Sequence, residues 1–404
     1  MNTTLSSDYP VHITIGPTYY EAYQTWAGVR FVHGFNLGNT SVRAATIASA
    51  PYVCKALKGR VDSWEIGNEP DLFWITGQRD NSYSERQYVS EWQAMKRDLQ
   101  AAMNCKEDFM APSFAGTSKA TIFRLDGVKT WQSGLDADKD ISVVSQHNYM
   151  TAATAPGVTL QYTLMNHTSI VQSISTLINH SRAITPYTSA PYVLGEFNSL
   201  SRQGKPGISN SFGAALWGVD FNLFMATQGV KRGHMHMGTN YRYQAWQPIE
   251  TNTTKGTKAP YYGNIGVAAF LGGIESIVNL PMYNETSAAY AGYDRGNLKR
   301  IIAINMQQYN ASSWNAEFLN NYTRPVESVT FNVPCGGSIR RLIANGSDAI
   351  TGITFDGYSY NWELDNGNPV LLTNVTRGES FQSLGGSVTI QVPYSSAAIL
   401  DLKC

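Results

Sequence analysis

A (β/α)8 barrel followed by a smaller all-β sandwich is the fold that this 404-residue sequence predicts. Three observations predict it. Apolar, strand-like runs alternate with helical periodicity over the first two-thirds of the chain. Two of those runs end in a glutamate, Val61–Phe73 (VDSWEIGNEPDLF) and Tyr192–Asn198 (YVLGEFN). After about Gly273 the helical period disappears and short alternating runs replace it. The expected units are residues 1–273, an α/β barrel whose first one or two βα units are missing, and 274–404, the sandwich.

In order, Gly28–Gly38 reads as a strand with a glycine-loosened end, and Thr40–Leu57 as an Ala-rich helix. Val61–Asn68 is a strand, stopped by Pro70. Over Ser84–Met103 the residues Tyr88, Trp92, Met95, Leu99 and Met103 recur every three or four positions, which is a helix. Phe109–Gly116 and Ile141–Met150 are strands. Ser169–Ser181 carries Ile170, Ile174, Leu177 and Ile178 on one helical face. Tyr192–Asn198 is the second glutamate strand, Phe212–Thr227 the helix after it, and Val230–Gly238 closes the series. This alternation implies a parallel sheet with right-handed crossovers and active residues at the strands' carboxyl ends. Two strands lie between those bearing Glu69 and Glu196, which would place the two carboxylates face to face across the mouth of a closed barrel.

Beyond Gly273 the alternating runs are Leu298–Met306, Ser328–Val333, Ile339–Ala344, Ser387–Val392 and Ala397–Leu402. Asn345-Gly346, Asp356-Gly357 and Asn366-Gly367 supply hairpin turns. Four cysteines split two and two, and the expected disulfides are Cys54–Cys105 and Cys335–Cys404. Three connectivities are open, as is a set of four buried thiols. With 30 basic and 30 acidic residues, nothing points to nucleic acid or an anionic membrane surface. No apolar run reaches the roughly 18 residues of a membrane span. The amino terminus lacks a signal-peptide pattern. Yet Asn-X-Ser/Thr sequons occur at Asn2, Asn39, Asn166, Asn179, Asn252, Asn284, Asn310, Asn321, Asn345 and Asn374, which fits a secreted glycoprotein.

Two glutamates on separate strand ends are the minimum equipment for splitting a glycosidic bond. One must be protonated to release a poor leaving group, and apolar surroundings such as Trp64 and Phe73 favour that form. The other must stay ionised, and Tyr149 or Asn198 could donate the hydrogen bond that favours its charge. A carboxyl separation of about 5–5.5 Å is expected, giving retention of configuration. The chemistry calls for no cofactor and no metal. Glu65 lies deeper on the first glutamate strand and reads as a buried partner for Arg30 or Arg232. His234 and His236 share a strand face and read as hydrogen-bonded histidines rather than metal ligands. For His147, a place in the mouth and a structural role are both open.

WEIGNEPDLF, HNY, VLGEFNSLS and GTNYRY resemble glycoside hydrolase family 79, the β-glucuronidase and heparanase family of the retaining (β/α)8 clan, from about Arg30 to Trp246. The resemblance implies Glu69 as acid/base and Glu196 as nucleophile. It implies Asn68 on the sugar's 2-hydroxyl and Tyr149 supporting the nucleophile. Tyr241, with backbone near Gly204, would meet the uronate carboxylate. Family members carry more chain ahead of the acid strand, including two barrel strands and a Gly-Gly-rich segment. Only 68 residues precede Glu69, so the chain reads as amino-terminally shortened. The expected partner is a glycan bearing terminal β-glucuronic or 4-O-methylglucuronic acid. A carbohydrate-binding remnant without turnover is the alternative.

Overall fold

The computed structural model describes residues 15–105, 108–250, 254–311 and 323–404. Six parallel strands lie side by side in chain order: β1 (Phe31–Phe35), β2 (Val61–Ile66), β3 (Phe109–Phe114), β4 (Ile141–Ala152), β5 (Tyr192–Ser201) and β6 (Gly233–Met235). The crossovers carry α1 (Arg43–Leu57), α2 (Glu85–Ala102), α3 (Gly127–Gln132), α4 (His167–Ile184) and α5 (Phe212–Thr227). A short hairpin of β7 (Trp246–Gln247) and β8 (Gly256–Thr257) and then α6 (Ala259–Leu271) complete this part. The sheet is curled. Asp62 on β2 pairs with Arg30, just ahead of β1, and with Arg232, just ahead of β6. Among the described residues β1 and β6 are the sheet's two edges, so six strands of the expected barrel are present and they form no closed ring.

Local signals explain the helices. The side chain of Ser84 accepts from the backbone N–H of Gln87, whose own side chain accepts from the N–H of Ser84 at 2.9 Å, capping α2. Tyr88, Trp92, Met95 and Leu99 are fully buried beneath it, as their spacing requires. Helix α5 is apolar on all its faces but for Asp220 and Asn222 and is buried at every position from Phe212 to Phe221, because the sheet lies on one side and the strands that follow α6 on another. Helix α6 escaped the sequence reading because glycines interrupt its pattern. One of them has a purpose: a Cβ at Gly263 would stand 2.5 Å from the carbonyl oxygen of Ala215, so glycine lets α6 lie against α5.

From Ser276 the chain is antiparallel. Strands β9 (Ser276–Leu280), β10 (Ser287–Asp294), β11 (Asn297–Asn305), β13 (Gly337–Ile343), β14 (Thr354–Phe355), β15 (Tyr358–Ser359), β16 (Val370–Leu371), β17 (Glu379–Phe381) and β19 (Ser396–Leu402) share one nine-stranded sheet. Strands β12 (Val326–Asn332) and β18 (Ser387–Pro393) pair separately, and α7 (Trp362–Asp365) is a single turn. Alternation along the large sheet builds two cores. Tyr290, Ile302, Ile304 and Ile399 join the core shared with the helices, whereas Ala289, Ile301, Ala303 and Leu400 face Phe331, Val388 and Ile390 of the small sheet.

Across the first interface Asp220 of α5, fully buried, receives the hydroxyl of Tyr290 and sits 2.9 Å from His167 Nδ1. Both expected disulfides are present. Of the three expected hairpin turns only Asp356-Gly357 is a tight two-residue turn, between β14 and β15. Asn366 caps α7 in the left-handed region within the connection from β15 to β16, and Asn345-Gly346 lies in the longer loop that returns β13 antiparallel onto β14. Among the described residues no helix is long and apolar enough to cross a membrane.

Candidate active site

The site is built just past the end of β2 and midway along β4 and β5. Past β2 the chain turns sharply, with Gly67 and Glu69 both in the left-handed region, at φ 83° and 49°. Glycine takes that conformation freely and glutamate does not, so surrounding bonds must hold Glu69 there. Its N–H donates to the carbonyl of Ser113 at 3.0 Å. Pro70 then starts a short 3-10 turn. Two residues on, the fully buried carboxylate of Asp71 accepts the backbone N–H groups of Ala115 and Gly116, each at 2.9 Å. The turn is thereby fastened to the end of β3.

Parallel register sets the other half. His147 on β4 stands beside Glu196 on β5, and Tyr149 beside Asn198. The Tyr149 hydroxyl donates to Glu196 Oε1 at 2.7 Å. His147 Nδ1 lies 3.0 Å from Glu69 Oε1 and 4.0 Å from Glu196 Oε2. One oxygen of each glutamate and a ring nitrogen of His147 all fall within 4.8 Å of one another. By donor type this trio is the group that could hold a divalent ion among the described residues. Both glutamates keep about a fifth of their side chains open to solvent, at 23% and 20%.

The electrostatics follow from burial and charge. Burial opposes a charge on His147, but its bond to Glu69 and the charges of Glu196, Glu69 and Glu65 outweigh that and lift its pKa to about 9. Burial, reinforced by the Glu196 charge, pushes the Tyr149 hydroxyl far above its usual range, so it acts as a proton donor. Burial also raises Asp71 to about 7, against the two backbone N–H groups that favour its charge.

Sequence comparison adds the lineage. The profile of the glycosyl hydrolase family 79 C-terminal beta domain matches residues 289–399. A protein of Aspergillus niger named beta-glucuronidase is 48% identical, over 99% of this chain and 78% of its own length. The chain belongs to glycoside hydrolase family 79. A beta-glucuronidase of Neurospora crassa is 46% identical over 92% of the chain and 75% of its own length. The solved structure of a 4-O-alpha-L-rhamnosyl-beta-D-glucuronidase from Fusarium oxysporum 12S, complexed with Rha-GlcA, superposes with a TM-score of 0.77 at 24% identity, over 99% of this chain and 82% of that one. At that identity the likeness is one of fold. As a member of family 79 the chain is a glycosidase.

In this family 79 chain the remaining expected residues are placed as follows. Asn68 is exposed and lines a 390 Å³ pocket with Gly34, Gly38, Glu65 and Phe73. Gly204 has φ +77°, and a Cβ on it would strike the Cβ of Ser209 at 2.7 Å and the Tyr243 ring at 3.1 Å. Arg242 N–H donates to the Gln203 carbonyl, so the Gly204 and Tyr241 segments do meet. Tyr241 stands edge-on to Tyr243, with ring centres 5.7 Å apart.

Tyr243 carried no separate signal in the sequence, yet it is central. Its ring lies 6.1 Å from that of Tyr149, and its hydroxyl is 2.6 Å from His236 Nδ1. His236 is thus engaged with a tyrosine, and neither it nor His234 joins a metal-type donor trio among the described residues. Two expectations are corrected. Glu65 does not pair with Arg30 or Arg232, which both go to Asp62; it bonds to Ser113 and faces the site from below. Asn198 does not reach Glu196, because its amide is spent on the carbonyls of His236 and Tyr243 at 3.0 and 3.4 Å.

Proposed function

We propose that the chain is a secreted retaining β-glucuronidase that removes terminal glucuronic or 4-O-methylglucuronic acid from glycans or glycoconjugates. The observation that carries this reading is the approach of Glu69 and Glu196, with one oxygen of each inside a 4.8 Å cluster. That closeness suits a double displacement, for which carboxyl groups about 5–5.5 Å apart are typical, and leaves little room for the water of a direct one. The names of the Aspergillus niger and Neurospora crassa relatives support the glucuronide substrate.

Each oxygen has a role in this scheme. Tyr149 engages Glu196 Oε1, leaving Oε2 to attack the anomeric carbon. His147 engages Glu69 Oε1, leaving Oε2 to give its proton to the departing glycosidic oxygen. The C–O bond breaks and a glycosyl ester with Glu196 forms. Glu69 then takes a proton from water, the hydroxide attacks the same carbon, and Glu196 departs. Asn68 would hold the 2-hydroxyl, and Tyr241 with the backbone near Gly204 the uronate carboxylate. Residues 1–273 would form the catalytic unit and 274–404 its β companion.

Proton NMR of an aryl β-glucuronide digest tests the scheme. The β-anomer of glucuronic acid should appear first. Glu69→Gln and Glu196→Gln should each slow release by about 10²-fold or more. First appearance of the α-anomer would refute retention. A carbohydrate-binding role without turnover is the alternative reading. Binding of glucuronides with no release would establish that reading instead.

A further inference from the structure

The ten sequons are not equivalent once the chain is folded. Asn2, Asn252 and Asn321 lie outside the described residues. Asn310 is fully buried, and its Oδ1 accepts from the Ser347 hydroxyl and from Gln308 Nε2. Asn166 is 6% exposed, and its Oδ1 accepts the N–H of Ser169 to cap α4. An attached glycan is bulky and strongly hydrated, so neither position can carry one in the folded protein. Asn39, Asn179 and Asn284 are exposed, each on a different part of the fold.

Asn345 and Asn374 differ from these. Both are exposed, and although distant in sequence they line one 620 Å³ groove on the β unit. Asn345 directly follows the loop's entry from β13, and Asn374 lies between β16 and β17. Between them the groove presents Arg324, Arg341, Glu379 and Gln391. Arg341 and Glu379 form a bidentate pair along it. With Ile343, Leu372, Val375 and Pro393 beside them, the floor mixes polar and apolar surface and holds no aromatic side chain, which suits sugars, whose hydroxyls and C–H faces meet both.

We infer that Asn345 and Asn374 are N-glycosylated and that their two glycans together cover this groove. The inference rests on the extracellular reading above. To test it, the full chain is expressed behind a secretion leader in a eukaryotic host, so that every molecule passes the glycosylation machinery. The secreted protein is treated with peptide N-glycosidase in ¹⁸O water and its peptides are mapped by mass spectrometry. Labelled aspartate is expected at positions 345 and 374 in most molecules and at neither 166 nor 310. Label at Asn166 or Asn310, or its lack at Asn345 or Asn374, would overturn the assignment.

Asn345→Gln and Asn374→Gln should each remove one glycan step from the gel mobility and leave the rate on an aryl glucuronide unchanged. Removing glycans from the folded protein should speed amide exchange over residues 372–379 while leaving α2 unaffected, and unchanged exchange there would refute the shared cover. A correct glycan map with no hydrolysis would count against the glycosidase reading and not against this one.

Discussion

His147 Nδ1 lies 3.0 Å from Glu69 Oε1, at the centre of three carboxylates. The interaction raises the folded pKa of His147 to about 9 from an ordinary value of 6.5. A raised histidine stabilises the fold fully below the unfolded pKa and stops doing so as pH climbs through the folded one. Stability is therefore expected to fall between about pH 6.5 and about 9, and kcat as pH passes about 9. His147→Gln should be less stable at pH 6 and should lose that alkaline step. An identical alkaline profile in the variant would assign the step to another group.

Tyr149→Phe removes the donor to Glu196 together with the hydroxyl contact to Tyr243, and leaves the ring in place. A hydrogen bond to a charged group contributes about 1.5–3 kcal/mol, so kcat/KM should drop by roughly 10- to 150-fold. The melting temperature should stay close to that of the parent, which calorimetry would show.

Asp71→Asn keeps the shape of the side chain but turns one acceptor into a donor. One of the two N–H groups from Ala115 and Gly116 then meets an NH2 and is left unpaired. The expected loss is about 1–3 kcal/mol in chemical denaturation. Because Asp71 anchors the turn that carries Glu69, kcat should fall as well. Full activity with lowered stability would mean that the turn holds without this anchor.

Cys335 and Cys404 close a loop with a sequence separation of 69. Loop-closure entropy alone assigns such a bridge about 4 kcal/mol. Replacing both by serine should shift the unfolding midpoint of the β unit accordingly. The bridge ties the start of β13 to the end of β19 within the β unit, and activity at 25 °C should survive while the unit stays folded.

Much of this molecule is written locally. The 3.6-residue spacing of Tyr88, Trp92, Met95 and Leu99 marks α2, and the two-residue alternation of Leu298–Met306 and Ala397–Leu402 marks strands β11 and β19. Glu69, just past β2, and Glu196, midway along β5, both follow apolar runs that the sequence displays. Such signals survive in a linear pattern because each depends on neighbours a few positions away. The partners were not legible in the same way. Tyr149 was one of two candidate donors to Glu196, and only the register of β4 on β5 chose it over Asn198. Glu65 was assigned to the wrong arginines, because the curl of the sheet brings Asp62, not Glu65, to Arg232. Tyr243 and Asp71 lie inside the motifs GTNYRY and WEIGNEPDLF, but nothing in those motifs gives either one a role.

The amino-acid sequence by itself determined the six parallel strands, four of the helices between them and the two glutamates that follow apolar runs. The tertiary structure decided which donors, histidine and anchors those carboxylates meet. Those contacts join residues 47 and 78 positions apart, and strand register, sheet curl and the backbone of intervening turns set them, none of which has a period that a sequence can display.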